Sequence, residues 1–219
     1  MGIFNIFTSG YSWQVMIIVL LCYLISIMFA MSFHEFSHAY VAHKCGDDTA
    51  KLNGRMTLNP SAHFDLIGFL FLLLLGFGWA KPVPVNDYNF RNIKKGRLLV
   101  GFAGVTANII LAIISAFLFV LFLNVLDISV YVWYFVVTLC QYMAVINLML
   151  AVFNLLPIYP LDGFNIVATF LKPNNRFLNF MYRYGTIILI IVLILGGYWF
   201  SDLISIIFNG LVSLFMLLF

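Results

Sequence analysis

Residues 13–43 read WQVMIIVLLCYLISIMFAMSFHEFSHAYVAH. The first 21 of them, from Trp13 to Phe33, carry no charged side chain, and about 20 apolar residues suffice to cross the hydrocarbon core of a bilayer. The run exceeds the roughly 7–15-residue apolar region of a secretory leader and lacks its basic start, so a retained spanning helix is expected. Neither Gly nor Pro interrupts the pattern before Gly46. The helix is therefore expected to continue through His34–His43 and to present its polar end residues at a membrane face.

The remainder of the chain agrees with that start. Of 219 residues, 64% are hydrophobic and 9% charged, against about 45–50% and about 25% in soluble domains. With 24 Phe, 11 Tyr and a mean hydropathy of +1.07, the chain is neither disordered nor collagen-like. Further apolar runs cover 98–125, 128–156, 184–200 and 203–219. The expected fold class is thus an all-α polytopic membrane protein of about five transmembrane helices. It forms a single membrane-embedded domain over 1–219, with a core of about 13–163 and a C-terminal helical pair at 184–219. Residues 66–80 are short for a span, rich in Phe and contain Gly68, Gly76 and Gly78. A re-entrant hairpin or small sheet between helices one and two is expected there. Irregular backbone at membrane depth needs protein or a water-filled cavity to satisfy it.

Every Lys and Arg falls in one of three stretches: Lys44, Lys51 and Arg55; Lys81, Arg91, Lys94, Lys95 and Arg97; Lys172, Arg176 and Arg183. These read as cytoplasmic loops under the positive-inside rule, not as nucleic-acid patches. The N-terminus is then outside, and the outer connections hold only Asp127 and Asp202. Cys22, Cys45 and Cys140 form no CxxC pair and are odd in number, which suggests packing residues rather than disulfides or a zinc ribbon.

His34-Glu35-Phe36-Ser37-His38 is an HExxH sequence on the first helix. Residues four apart share a helix face, so both imidazoles can reach one zinc ion while Glu35 is aimed at a water on the metal. Glu35 is the only glutamate in the chain, and ionisable groups at the end of an apolar span are costly and usually functional. A catalytic zinc site needs a third protein ligand and an open fourth position. No second glutamate exists, and Val41 and Lys44 stand where an HExxHxxGxxH motif needs Gly and His. Asp127 and Asp202 lie on the opposite side. Asp47, Asp48 and Asp87 belong to charged loops where solvation is the simpler reading. Asp162 and the neighbourhood of His63 and Asp65 remain, with Asp162 preferred: it ends the third helix on the same side, beside Pro157, Pro160 and Gly163, which break the helix.

The blocks HEFSHAYVA (34–42), GRMTLNPSAHFD (54–65), GWAKPVPVN (78–86), AGVTAN (103–108) and FNLLPIYPLDG (153–163) together resemble the site-2 proteases, intramembrane zinc metalloproteases. The similarity runs in order from about residue 33 to residue 162. It implies one catalytic Zn2+ on His34, His38 and Asp162, with Glu35 as catalytic base. The length suits the short subgroup without PDZ or CBS modules. Val105 departs from the family pattern, which usually has Pro there; no ligand is touched, though a kink in the second helix could change.

Asn108 and Asn154 lie in apolar helices, where interhelical hydrogen bonding and catalysis compete as explanations. Facing the zinc, their amide N–H groups could hold a substrate carbonyl or an oxyanion. His63 could be a second electrophile or the anchor of a turn. The 81–86 segment, with Pro82 and Pro84 two apart, suits an edge strand that holds unwound substrate by strand addition, or equally a stiff surface loop. The expected function is endopeptidase cleavage within or near transmembrane segments of other membrane proteins, in the cell membrane with the active site toward the cytoplasm. The partners expected are a transmembrane-protein substrate and the lipid bilayer, with no nucleic acid. The alternative is a non-proteolytic metal-binding scaffold of the same fold.

Overall fold

The computed structural model describes residues 12–75, 78–125 and 129–219. Its described residues are all helical or irregular, with no strand. The first helix, α1, spans Trp13–Cys45 and stops where the sequence first allows it: Gly46 adopts φ 114°, a left-handed conformation that favours glycine. Short helices α2 (Thr49–Leu52) and α3 (Pro60–His63) follow, the latter capped by Asn59, whose side chain accepts the Ser61 N–H at 3.1 Å.

Helix α4 (Leu66–Leu75) occupies the stretch for which a hairpin or sheet is expected. Leucine is a good helix former, and the Asp65 side chain starts the helix by accepting the Gly68 N–H at 2.7 Å. Ten residues rise only about 15 Å, half of a hydrocarbon core. The irregular stretch 78–86 begins against α4: a Cβ on Gly68 would meet the Trp79 carbonyl at 2.2 Å, and one on Gly78 the Gly68 carbonyl at 2.1 Å. Among the described residues of this stretch there is a short helix and no strand, with Gly78 and Trp79 packed on Gly68; residues 76 and 77 lie outside the described residues.

Three long helices make the core: α1, α5 (Ile93–Val125) and α6 (Val130–Asn154). Lipid offers no hydrophobic drive to bring apolar helices together, so close packing of small residues must do so. Ala30, Ala112, Ala116 and Ala144 are fully buried at these contacts. Leu72 of α4 joins Tyr23, Ile27 and Ile146 in one cluster. Helix α5 runs unbroken through Val105, which is buried. Helix α6 ends before the Pro157–Pro160 turn, and α7 (Asp162–Ala168) begins at the aspartate.

The C-terminal pair expected at 184–200 and 203–219 is instead one helix, α8 (Arg176–Met216), so among the described residues four helices are long and apolar enough to span a membrane. Ser201 and Asp202 separate the two apolar runs, but neither residue breaks a helix as Pro does. Asp202 thus lies within α8 and not in a connection; Asp127 lies outside the described residues. Helix α8 touches the core through Ile204 and Phe208, which pack on Ala112, Ala116 and Ala144.

Candidate metal centre

His34 and His38 project from one face of α1, with ring centroids 4.6 Å apart. Asp162, the first residue of α7, reaches them because α7 packs on α5, where Ile166 covers the bare Gly101. Asp162 Oδ2 lies 3.3 Å from His34 Nε2 and 3.1 Å from His38 Nε2, and the two Nε2 atoms are 3.0 Å apart. Both histidines are buried.

The opposite ring nitrogens fix the tautomers. His34 Nδ1–H donates to Asn108 Oδ1 at 2.6 Å, and His38 Nδ1–H donates to the Val100 carbonyl at 2.8 Å. A neutral imidazole has one N–H, so each Nε2 presents a lone pair. Two lone pairs and a carboxylate oxygen then converge, and Asp162 Oδ2 is buried without a hydrogen-bond partner. Burying such an acceptor-only set is costly unless a cation occupies it. Tetrahedral zinc with bonds of about 2.0–2.1 Å holds its ligand atoms about 3.3 Å apart, close to the three separations here. The donor set fits Zn2+.

Clearance for the rings comes from α5. A Cβ on Gly104 would lie 2.4 Å from His34 Cε1 and 2.6 Å from His38 Nε2. Both rings are held against α5 by hydrogen bonds to Asn108 and to the Val100 carbonyl, one turn to either side of Gly104, so a retreat would break them.

Asn108 is completely buried, and its amide makes interhelical hydrogen bonds, one of its two expected uses. Its Oδ1 orients His34, while its Nδ2 donates to Asn147 Oδ1 at 2.7 Å and to the Ala30 carbonyl at 3.3 Å. With the amide hydrogens engaged, none is free for a substrate. Asn147, also fully buried, donates onward to the Met143 carbonyl at 2.7 Å. Sequence reasoning passed over Asn147 and Gly104. An amide in an apolar helix is the available signal for the first; the second lies in the AGVTAN block, whose residues do not by themselves say why a glycine is needed there.

Asn154 is not brought to the centre: its Nδ2 donates to the Leu150 carbonyl of its own helix at 2.9 Å. His63 is not brought there either. Its Nε2 bonds the Thr57 carbonyl at 2.8 Å, anchoring a turn, and the ring lines a cavity of about 40 Å³ with Ser32, Phe69, Leu72 and Trp79. Asp65 is committed to starting α4. Asp87 pairs with Arg97 at 2.6 Å, and His43 with Asp48. Asp47 is not solvated but fully buried, accepting hydrogen bonds from Thr49, Asn86 and Asn89. Burial alone would raise its pKa; those hydrogen bonds outweigh it and hold the carboxyl below its ordinary value.

Glu35 directly follows His34 on α1. Its Oε2 accepts the backbone N–H of Val83 at 2.8 Å, which places the 81–86 segment against the carboxylate.

Over 180 residues the chain is 40% identical to "Putative zinc metalloprotease YwhC" of Bacillus subtilis, an alignment covering 80% of this chain and 81% of that protein. Residues 122–192, which contain Asp162, match the model of Peptidase family M50. The chain belongs to peptidase family M50. "Putative zinc metalloprotease Rip2" of Mycolicibacterium smegmatis is 28% identical over 185 residues, 81% of this chain and 69% of its own. No solved structure matches. M50 comprises the site-2 proteases, so the resemblance carried by the five sequence blocks holds. Zinc is the ion that the family and the His34, His38 and Asp162 donor set both indicate.

Proposed function

We propose that this M50 member is an intramembrane zinc endopeptidase that hydrolyses peptide bonds within or near transmembrane segments, close to the cytoplasmic face of the cell membrane. The observation that carries the reading is the convergence of His34 Nε2, His38 Nε2 and Asp162 Oδ2 beside the chain's single glutamate. Three protein ligands leave the open fourth position of a catalytic zinc site, where a purely structural site would be closed by a fourth ligand.

When bound, zinc supplies Lewis-acid polarisation of a carbonyl and lowers the pKa of a coordinated water to about 7. The side chains supply the rest. Asn108 and the Val100 carbonyl hold the two imidazoles in the metal-binding tautomer. Glu35 has one oxygen engaged by Val83, and the other is available to accept a proton from water and pass it to the leaving amine. Residues 81–86 lie against Glu35, so an unwound substrate chain reaching the site would pass beside them. Helix α4 and the chain packed on it suit a re-entrant element. The three basic stretches fall at the ends of α1, α5 and α8 nearest the site, which favours a cytoplasmic active site. Nothing favours the scaffold alternative, since a scaffold has no use for Glu35 beside a complete ligand set.

The test is Glu35→Gln, purified and co-expressed with a model membrane substrate. Zinc content is expected to match wild type while cleavage is lost, and undiminished cleavage would refute the assigned role. Comparing membrane-protein fragments in cells carrying either form names the targets.

A further inference from the structure

The 81–86 segment is hydrogen-bonded at both ends, and its middle donates one hydrogen bond to Glu35. At one end, the Lys81 N–H donates to the His63 carbonyl at 2.9 Å, and Arg55 Nη2 donates to the carbonyls of Lys81 and Pro82 at 2.6 and 3.2 Å. At the other end, the Asn86 N–H donates to the fully buried Asp47 at 2.7 Å. Pro82 and Pro84 have fixed φ and no N–H. Across 82–84 the single backbone donor is therefore Val83, and that donor is the one on Glu35 Oε2. A tether at each end, a stiff middle and one donor aimed at one carboxylate form a preorganised arrangement.

Resting on the protease reading above, we propose that the 81–86 segment is a positioning element of the catalytic apparatus. Its Val83 N–H fixes the rotamer of Glu35 so that Oε1 remains the proton-accepting oxygen, and Asp47 and Arg55 act as positioning residues by holding the segment in register. General-base catalysis depends on hydrogen-bond reach to the proton being moved, and a glutamate has three rotatable bonds to restrain. A charged-group hydrogen bond of this kind is worth about tenfold or more in rate when its loss misplaces the base.

The most direct variant is 2-hydroxyisovalerate incorporated at position 83, which replaces the N–H by an ester oxygen and, as its side effect, weakens the Pro82 carbonyl that Arg55 contacts at 3.2 Å. In the zinc-loaded protein, kcat on a transmembrane substrate is expected to fall about tenfold with KM within about twofold. Val83→Ala, which keeps the N–H, is expected to lose less than Val83→Pro. Asp47→Asn and the ester variant are expected to be less than additive, since both act through one hydrogen bond. A readout independent of turnover is the Val83 amide followed by NMR and hydrogen exchange: protected in wild type, and losing that protection in Glu35→Ala. An unprotected Val83 amide in wild type overturns the proposal, as does an ester variant with unchanged kcat beside an active wild type; either leaves the protease reading standing. A zinc-loaded wild type that cleaves no membrane substrate overturns the protease reading and the positioning role together.

Discussion

The two sides of the metal centre are built on different physics. On one side, α1, α5 and α6 enclose His34, Asn108 and Asn147 in a hydrogen-bonded chain with Ala30 and Ala144 fully buried beside it. Asn108 and Asn147 are fully buried and His34 nearly so, and a missing atom leaves a buried polar group unpaired at its full desolvation cost. On the other side, Glu35 meets an irregular segment pinned by loop residues such as Arg55, and Lys81 and Pro82 are exposed. Hydrogen bonds at Lys81 and Pro82 compete with solvent and cost less individually to lose, while the Asn86 bond ends on the buried Asp47. The ligand side is thus held by buried groups throughout, and the loop side by one buried anchor and one exposed one.

The contrast breaks if the ligand side tolerates change. Asp162→Ala removes one of three metal donors, and zinc affinity is expected to fall by more than the roughly 10–100-fold typical of losing an outer partner. Metal analysis of purified protein at limiting zinc checks this; full occupancy would mean that Asp162 is not a ligand. Gly104→Ala comes next. The added methyl carbon would sit 2.4–2.6 Å from atoms of both imidazoles, and overpacking of a core typically costs about 1–3 kcal/mol. The expected outcome is a helical protein with zinc affinity lowered roughly tenfold to hundredfold, read by competition with a chelating dye.

What could be read in the sequence follows from how local each signal is. His34, Glu35 and His38 are legible because a helix puts residues four apart on one face whatever surrounds it. Asp162 was legible because acidic residues are few and a Pro-flanked turn ends its helix. Asn147 and Gly104 depend on how closely α5 approaches α1 and α6, which no stretch of either helix states. Asn147 and Asn154 are seven apart on one helix, yet only the first meets Asn108. The continuity of α8 was missed because Ser201-Asp202 looks like a connection by polarity while remaining compatible with helix. Asp47 looked solvated because its neighbours are charged; its burial comes from Asn86 and Asn89, some forty residues later.

Asn108→Leu sharpens the comparison at an intermediate scale. It keeps the volume of the side chain but strands the His34 Nδ1–H and the Asn147 carbonyl without their partner. Zinc affinity is expected to fall about 10-fold, at the lower end for an outer-partner loss. Paired with Asn147→Leu, the second substitution is expected to add less than it costs alone, because the chain is already broken.

The smallest effect belongs to the loop side and is set by pH. Hydrogen bonds from Thr49, Asn86 and Asn89 outweigh burial and hold the Asp47 carboxyl below its ordinary 3.8. A depressed folded-state pKa means that the unfolded chain takes up the proton first. The contribution is therefore fully present above about pH 4 and is lost as pH falls through the lower folded value. Hydrogen exchange at the Asn86 amide, corrected for its intrinsic pH dependence, is expected to show constant protection from pH 7 to about pH 4 and declining protection below it. Asp47→Asn is expected to flatten that decline while leaving the zinc content of the α1 and α7 ligand set unchanged. A parallel loss of zinc in this variant would mean that the loop and ligand sides are one cooperative unit and that the division drawn between them is wrong.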